Sequence, residues 1–205
     1  RAGERAKKIG DPYMLGHANC SFARLRFLER RSPHEVRDLV RVVLGIPEAE
    51  VWHPQALLLV GYADSHDHPL DGHALDELVR VFRARTAELP LGTTYMGLIL
   101  ACACLQSRDV ARASALIGEL LAFARATGER AFEPALLRVR GEILEPTDPR
   151  GAADAYLEAI ALATAKQSRA FRLRAANSLA VLWRSDDRRG EALAHVADAL
   201  APFTE

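Results

Sequence analysis

The chain has 205 residues, with 27 Lys and Arg against 27 Asp and Glu, so its formal net charge is zero. That balance excludes a general polyanion binder, which carries a basic excess. With 49% hydrophobic, 26% charged and only 6% aromatic residues, the composition excludes a disordered chain and favours closely packed helices over a β-sandwich.

Three cysteines make no full disulfide framework and fit a reducing, cytoplasmic compartment. No uncharged apolar run reaches ~18 residues, so no membrane span is expected. The chain opens at Arg1 without Met or a signal peptide, and a piece of a longer protein is the expected reading.

Hydrophobic periodicity predicts eleven helices, near 1–9, 12–30, 33–44, 51–66, 72–88, 91–106, 109–126, 130–145, 149–166, 169–185 and 187–202. Asp11-Pro12, Ser32-Pro33 and Asp148-Pro149 mark starts. Each places a capping side chain before a proline that has no N–H to lose. Gly10, Gly45 and Gly128 mark stops. The run from Leu39 to Leu44 contains three valines, yet a lone β-branched run in a helical chain reads as a buried helix side. Leu75, Leu78, Val79 and Phe82 then repeat at i, i+3, i+4 and i+7, as do later apolar sets in the helices near 109–126 and 149–166.

The segment Asp64-Ser65-His66-Asp67-His68-Pro69-Leu70-Asp71-Gly72-His73 gathers three histidines and three carboxylates, with His53 upstream. His66, His68 and His73 are candidate ligands for zinc or another divalent ion. No fixed zinc spacing is matched, so the preferred reading is a polar turn. Asp71 would cap the following helix and His68-Pro69 would end the preceding one. Ser65-His66-Asp67 is no triad, because adjacent turn residues point apart. Cys20, Cys102 and Cys104 read as small hydrophobes in tight helix contacts.

Ser21, Gly61, Ala101 and Gly141 are small residues spaced by 40 (61−21, 101−61, 141−101), and Ala180 follows after 39. Each falls mid-way along the first helix of a predicted pair, where a small side chain lets the second helix approach. Ala74, Ala113, Ala152 and Ala192 recur in the second helices. The pattern predicts an all-α, right-handed α-solenoid of about five hairpins, near 12–44, 51–88, 91–126, 130–166 and 169–202, forming one repeat domain over 1–205. The helix at 1–9 would be the remnant of a further unit, leaving an exposed apolar edge at that end.

A small residue in helix one followed by Ala-x3-large-x2-Ala in helix two resembles the tetratricopeptide pattern. It stands in Ala152-x3-Tyr156-x2-Ala159 and Ala192-x3-Val196-x2-Ala199, with a period nearer 40 than the usual 34. FEPALLRVRGEIL at 132–144 and AANSLAVLWRSDDRRGEALAHVADALAPFTE at 175–205 resemble the terminal repeats of large bacterial signalling proteins. There a STAND-type regulatory ATPase adjoins a nucleotide cyclase, a Ser/Thr kinase or a DNA-binding domain. None of those domains' motifs stands in this stretch, and no phosphate loop is present.

The resemblance implies that first helices line a concave groove. Arg138, Glu142, Arg174, Asn177 and Arg184 would face it late in the chain, with Gln55, Tyr62 and Tyr95 earlier. Arginine suits bidentate recognition of carboxylates, although Glu133, Glu142, Glu145 and Asp186 offer it internal partners. The expected function is non-catalytic binding of a partner protein or a neighbouring domain of the same chain, with no cofactor. A small-molecule sensor is the alternative, and a metal-dependent enzyme built on 64–73 stands behind it. Nucleic acid is disfavoured, because acidic residues interleave the arginines and few aromatics are placed for stacking.

Overall fold

The computed structural model describes residues 11–29, 32–184 and 187–203. The predicted helix at 1–9 lies outside them. Among the described residues the protein is all-helical, with ten α-helices, two short 3-10 segments and no strand. The helices are α1 (Pro12–Leu28), α2 (Pro33–Leu44), α3 (His53–Asp67), α4 (Gly72–Glu88), α5 (Thr93–Gln106), α6 (Val110–Thr127), α7 (Glu133–Leu144), α8 (Pro149–Ala165), α9 (Arg169–Leu182) and α10 (Arg189–Leu200). No helix among the described residues is long and apolar enough to cross a membrane.

Local chemistry sets the helix ends. The Asp11 carboxylate accepts from the amides of Tyr13 and Met14, Asp71 from Ala74 at 2.8 Å and Asp148 from Gly151 at 2.9 Å. Asp11 takes two of the orphan N–H groups of a first turn, and Asp71 and Asp148 take one each. Ser32 precedes Pro33 but makes no such bond. The valine run from Leu39 to Leu44 lies in α2, with Val40 and Val43 buried and Val42 exposed.

The chain departs from the predicted start at 51. A 3-10 segment, Pro47–Trp52, precedes α3. His53 Nε2 lies 3.2 Å from the Val43 carbonyl and 3.1 Å from that of Ile46, so this imidazole helps close the end of α2.

Among the described residues, two turns use left-handed residues that are not glycine, Arg108 at φ 66° and Gln167 at φ 54°. The amide of Asp109 donates to the Cys104 carbonyl, and that of Ser168 to Ala163. These bonds satisfy the last-turn carbonyls of α5 and α8. Gly128, at φ 80°, follows α6.

The chain forms two compact units, residues 1–112 and 113–205. In the first, consecutive helices pack on one another from α1 to α5, and α3 also touches α1 and α5. In the second, α7, α8, α9 and α10 pack consecutively, and α7 also touches α9. Contacts therefore run to the next helix and the next but one.

The small-residue positions are tight where they carry glycine. A Cβ on Gly61 would stand 2.4 Å from Leu78 of α4, and one on Gly141 would stand 2.3 Å from the Tyr156 ring of α8. Both glycines admit the second helix of their hairpin. The alanine series of the second helices fits three of its four members. Ala113, Ala152 and Ala192 are buried, whereas α4 buries Leu75, Leu78 and Phe82 and leaves Ala74 half-exposed. In α4 the buried register is thus shifted by one residue.

α5 buries eleven of its fourteen residues, the signature of a helix surrounded by others. α1 carries exposed Tyr13, Met14, Phe22 and Leu25.

Candidate functional site

Three first helices bring the early groove candidates together. Gln55 and Tyr62 project from α3 and Tyr95 from α5, toward Cys20, Arg24 and Phe27 of α1. Gln55 donates to the Cys20 carbonyl at 3.4 Å. The Tyr62 ring meets Phe27 edge-on at 4.8 Å and His66 at 4.7 Å. Arg24 lies over the Tyr95 ring at 5.7 Å. Tyr62 and Tyr95 are only 7% and 4% exposed, so the two rings serve as packing between helices. Burial raises the Tyr95 hydroxyl well above the ordinary phenol range, against the pull of Arg24.

The 64–73 segment is organised by a residue far from it in sequence. Arg37 of α2 donates to Asp64 and Asp67, each at 2.6 Å, and to the Ala63 carbonyl at 3.1 Å. Its side chain is 11% exposed. Arg37 hydrogen bonding holds the Asp67 carboxyl below the usual carboxylate range, and Asp67 raises Arg37 in turn. His66 Nδ1 lies 3.1 Å from the Tyr62 carbonyl of its own helix. His68 follows the last residue of α3, His73 lies exposed in the first turn of α4, and Asp71 caps α4. Among the described residues no three His, Cys, Asp or Glu side chains converge on a point that could hold a metal ion. His66, His68 and His73 are therefore not brought together.

The late arginines divide into two groups. Arg138 is buried and pairs with Glu142 one turn on. Arg172 pairs with Asp198 of α10. Glu133, almost wholly buried, is held by Arg130 at 2.6 Å and more loosely by Arg125 at 3.8 Å. Glu145 accepts the Tyr156 hydroxyl proton at 2.5 Å. Asp186 lies outside the described residues. Asn177 and Arg184 are exposed and Arg174 is half-exposed, all on or just beyond α9. Arg140 is exposed on α7, and no carboxylate among the described residues pairs with it or with Arg184.

A cleft of about 430 Å³ runs between α6 and α7. Ile117, Leu121, Ile143 and Leu144 give it an aliphatic floor, and Arg125 and Arg140 are its charged walls. Ser114, Gly118 and Ala122 line its α6 side at intervals of four, and that spacing of small residues was the available signal.

The three cysteines are free thiols. Burial pushes Cys20 and Cys104 up to about 12, so neither is a thiolate near neutral pH. No protein-family model matches the chain, and no curated protein sequence matches it.

Proposed function

We propose that this chain is a non-catalytic binding array, a right-handed solenoid of tetratricopeptide-like hairpins belonging to a larger bacterial signalling protein of the cytoplasm. It would hold a partner protein or a neighbouring domain, and so bias an attached ATPase or effector. The observation that carries the reading is the packing of first helix on first helix within each unit, α1 on α3 on α5 and α7 on α9. That packing aligns first-helix side chains along a common face, as stacked hairpins do. On α9 that face would present the half-exposed Arg174 and the exposed Asn177, with exposed Arg184 just beyond. Arginine there recognises carboxylates without chemistry.

The test is affinity capture with the full chain as bait, compared with the double variant Arg174→Glu, Arg184→Glu. Arg138 is left intact, because reversing a buried, paired charge would unfold the protein. A protein retained by the wild type and lost from the variant supports the array reading. Identical capture by both baits overturns the role given to α9, and no specific capture by either overturns the partner-binding reading.

A further inference from the structure

We infer that the α6–α7 cleft is a docking groove for an acidic amphipathic peptide segment of the partner protein, an inference that rests on the array reading. Its volume of about 430 Å³ lies within the range of cavities that hold ligands. Ile117, Leu121 and Ile143 are each under 10% exposed, so the floor is fixed by the core beneath it and needs no rearrangement. The α6 wall runs from Ser114 to Arg125, about 16 Å at the helical rise. That is three turns of helix, the length over which a peptide helix lays an i, i+3, i+4, i+7 face into a groove.

Charge selects the occupant. Arg125 and Arg140 line the cleft and no carboxylate among the described residues does, in a protein whose overall charge is zero. Arg125 is partly offset by Glu133 and Glu158, each at 3.8 Å. Arg140 has no carboxylate partner among the described residues. A partner side chain of the Leu or Ile type would rest on the floor of Ile117, Leu121 and Ile143, while a Glu or Asp one turn away would reach the Arg140 guanidinium.

Gly118 makes the idea testable without harming the fold. A Cβ there meets nothing within 4 Å, so Gly118→Leu fills the cleft and leaves the core intact. The probe is an end-blocked helical peptide of about twelve residues with leucines at i, i+3, i+4 and i+7 and glutamates beside them, with a lysine-for-glutamate twin. Binding is followed by amide shifts of the isotope-labelled full chain, and each variant is first checked for an unchanged melting profile.

We expect saturable binding of the glutamate peptide, shifts at Gly118 and Arg140, and about tenfold weaker binding of the lysine twin. Gly118→Leu and Arg140→Ala should each weaken the glutamate peptide by about fivefold or more. Equal binding of the two peptides, unchanged binding to Gly118→Leu, or no shifts at α6 and α7 at roughly 1 mM peptide would each overturn the groove. Shifts on α9 instead, lost in Arg174→Glu, Arg184→Glu, would sink the groove while leaving the array reading standing. The capture experiment scores that reading independently.

Discussion

Gly141 and Gly118 are both mid-helix glycines, yet their surroundings are opposite. A methyl group on Gly141 runs into the Tyr156 ring, which is fully buried and tied to Glu145 through its hydroxyl. Relief by turning the ring away is therefore blocked. Overpacking costs about 1–3 kcal/mol, against a gain of about 0.5–1 kcal/mol from replacing a helical glycine. Gly141→Ala should lose about 1–2 kcal/mol in urea denaturation, while Gly118→Ala should gain a few tenths or more. Equal midpoints for the two variants would mean that the α7–α8 contact relaxes freely. Gly61 should be the milder case, because its neighbour is the end of a leucine side chain. The 40-residue register picked out Gly61 and Gly141 from the sequence. It could not show how deep neighbouring helices bury Tyr62 and Tyr95, because periodicity fixes the face of a helix and not what covers it.

Arg37 fastens α2 to α3 at two carboxylates and a carbonyl. Asp64 and Asp67 keep 40% and 36% exposure, so water screens the pairs and the cost of removal falls below that of a fully buried ion pair. Arg37→Gln should lower stability by about 1–2 kcal/mol at pH 7. The pH dependence follows from the depressed Asp67 carboxyl. A carboxyl lowered in the folded state stabilises fully above its unfolded value, near 4, and loses that contribution as pH falls through the lower folded value. The gap in melting temperature between wild type and Arg37→Gln should therefore narrow as pH falls below about 4. A gap of constant size on acidification below that point would mean that Asp67 does not carry the effect. Element boundaries were legible where Asp-Pro pairs stood before a helix and where Asp71 capped α4. The 3-10 segment before α3 was not, since Pro47 and Pro54 each offer a start and only His53 closing over α2 decides between them. Arg37 was equally hidden, because its partners lie 27 and 30 residues away.

For the molecule as a whole, the all-helical class was legible in the Ala and Leu content and the scarcity of aromatics. The cleft was not, because it forms where two helices part and no single helix pattern records that gap. Equal numbers of cations and anions place the isoelectric point at about 7.2, where self-repulsion vanishes. Solubility should accordingly pass through a minimum within about one unit of pH 7 and recover on either side, as static light scattering against pH would record. A minimum well away from neutrality would mean that exposed apolar side chains such as those of α1, rather than net charge, govern association.

Arg108 and Gln167 carry a consequence of a different kind. Both hold a left-handed backbone in which an L-side chain crowds its own carbonyl, a cost of roughly 1 kcal/mol each. A residue of the opposite chirality would be relaxed at either position, so a synthetic chain with D-Gln at 167 should fold with less internal opposition than the natural one. These two turns mark where the protein is constrained by the handedness of its building blocks.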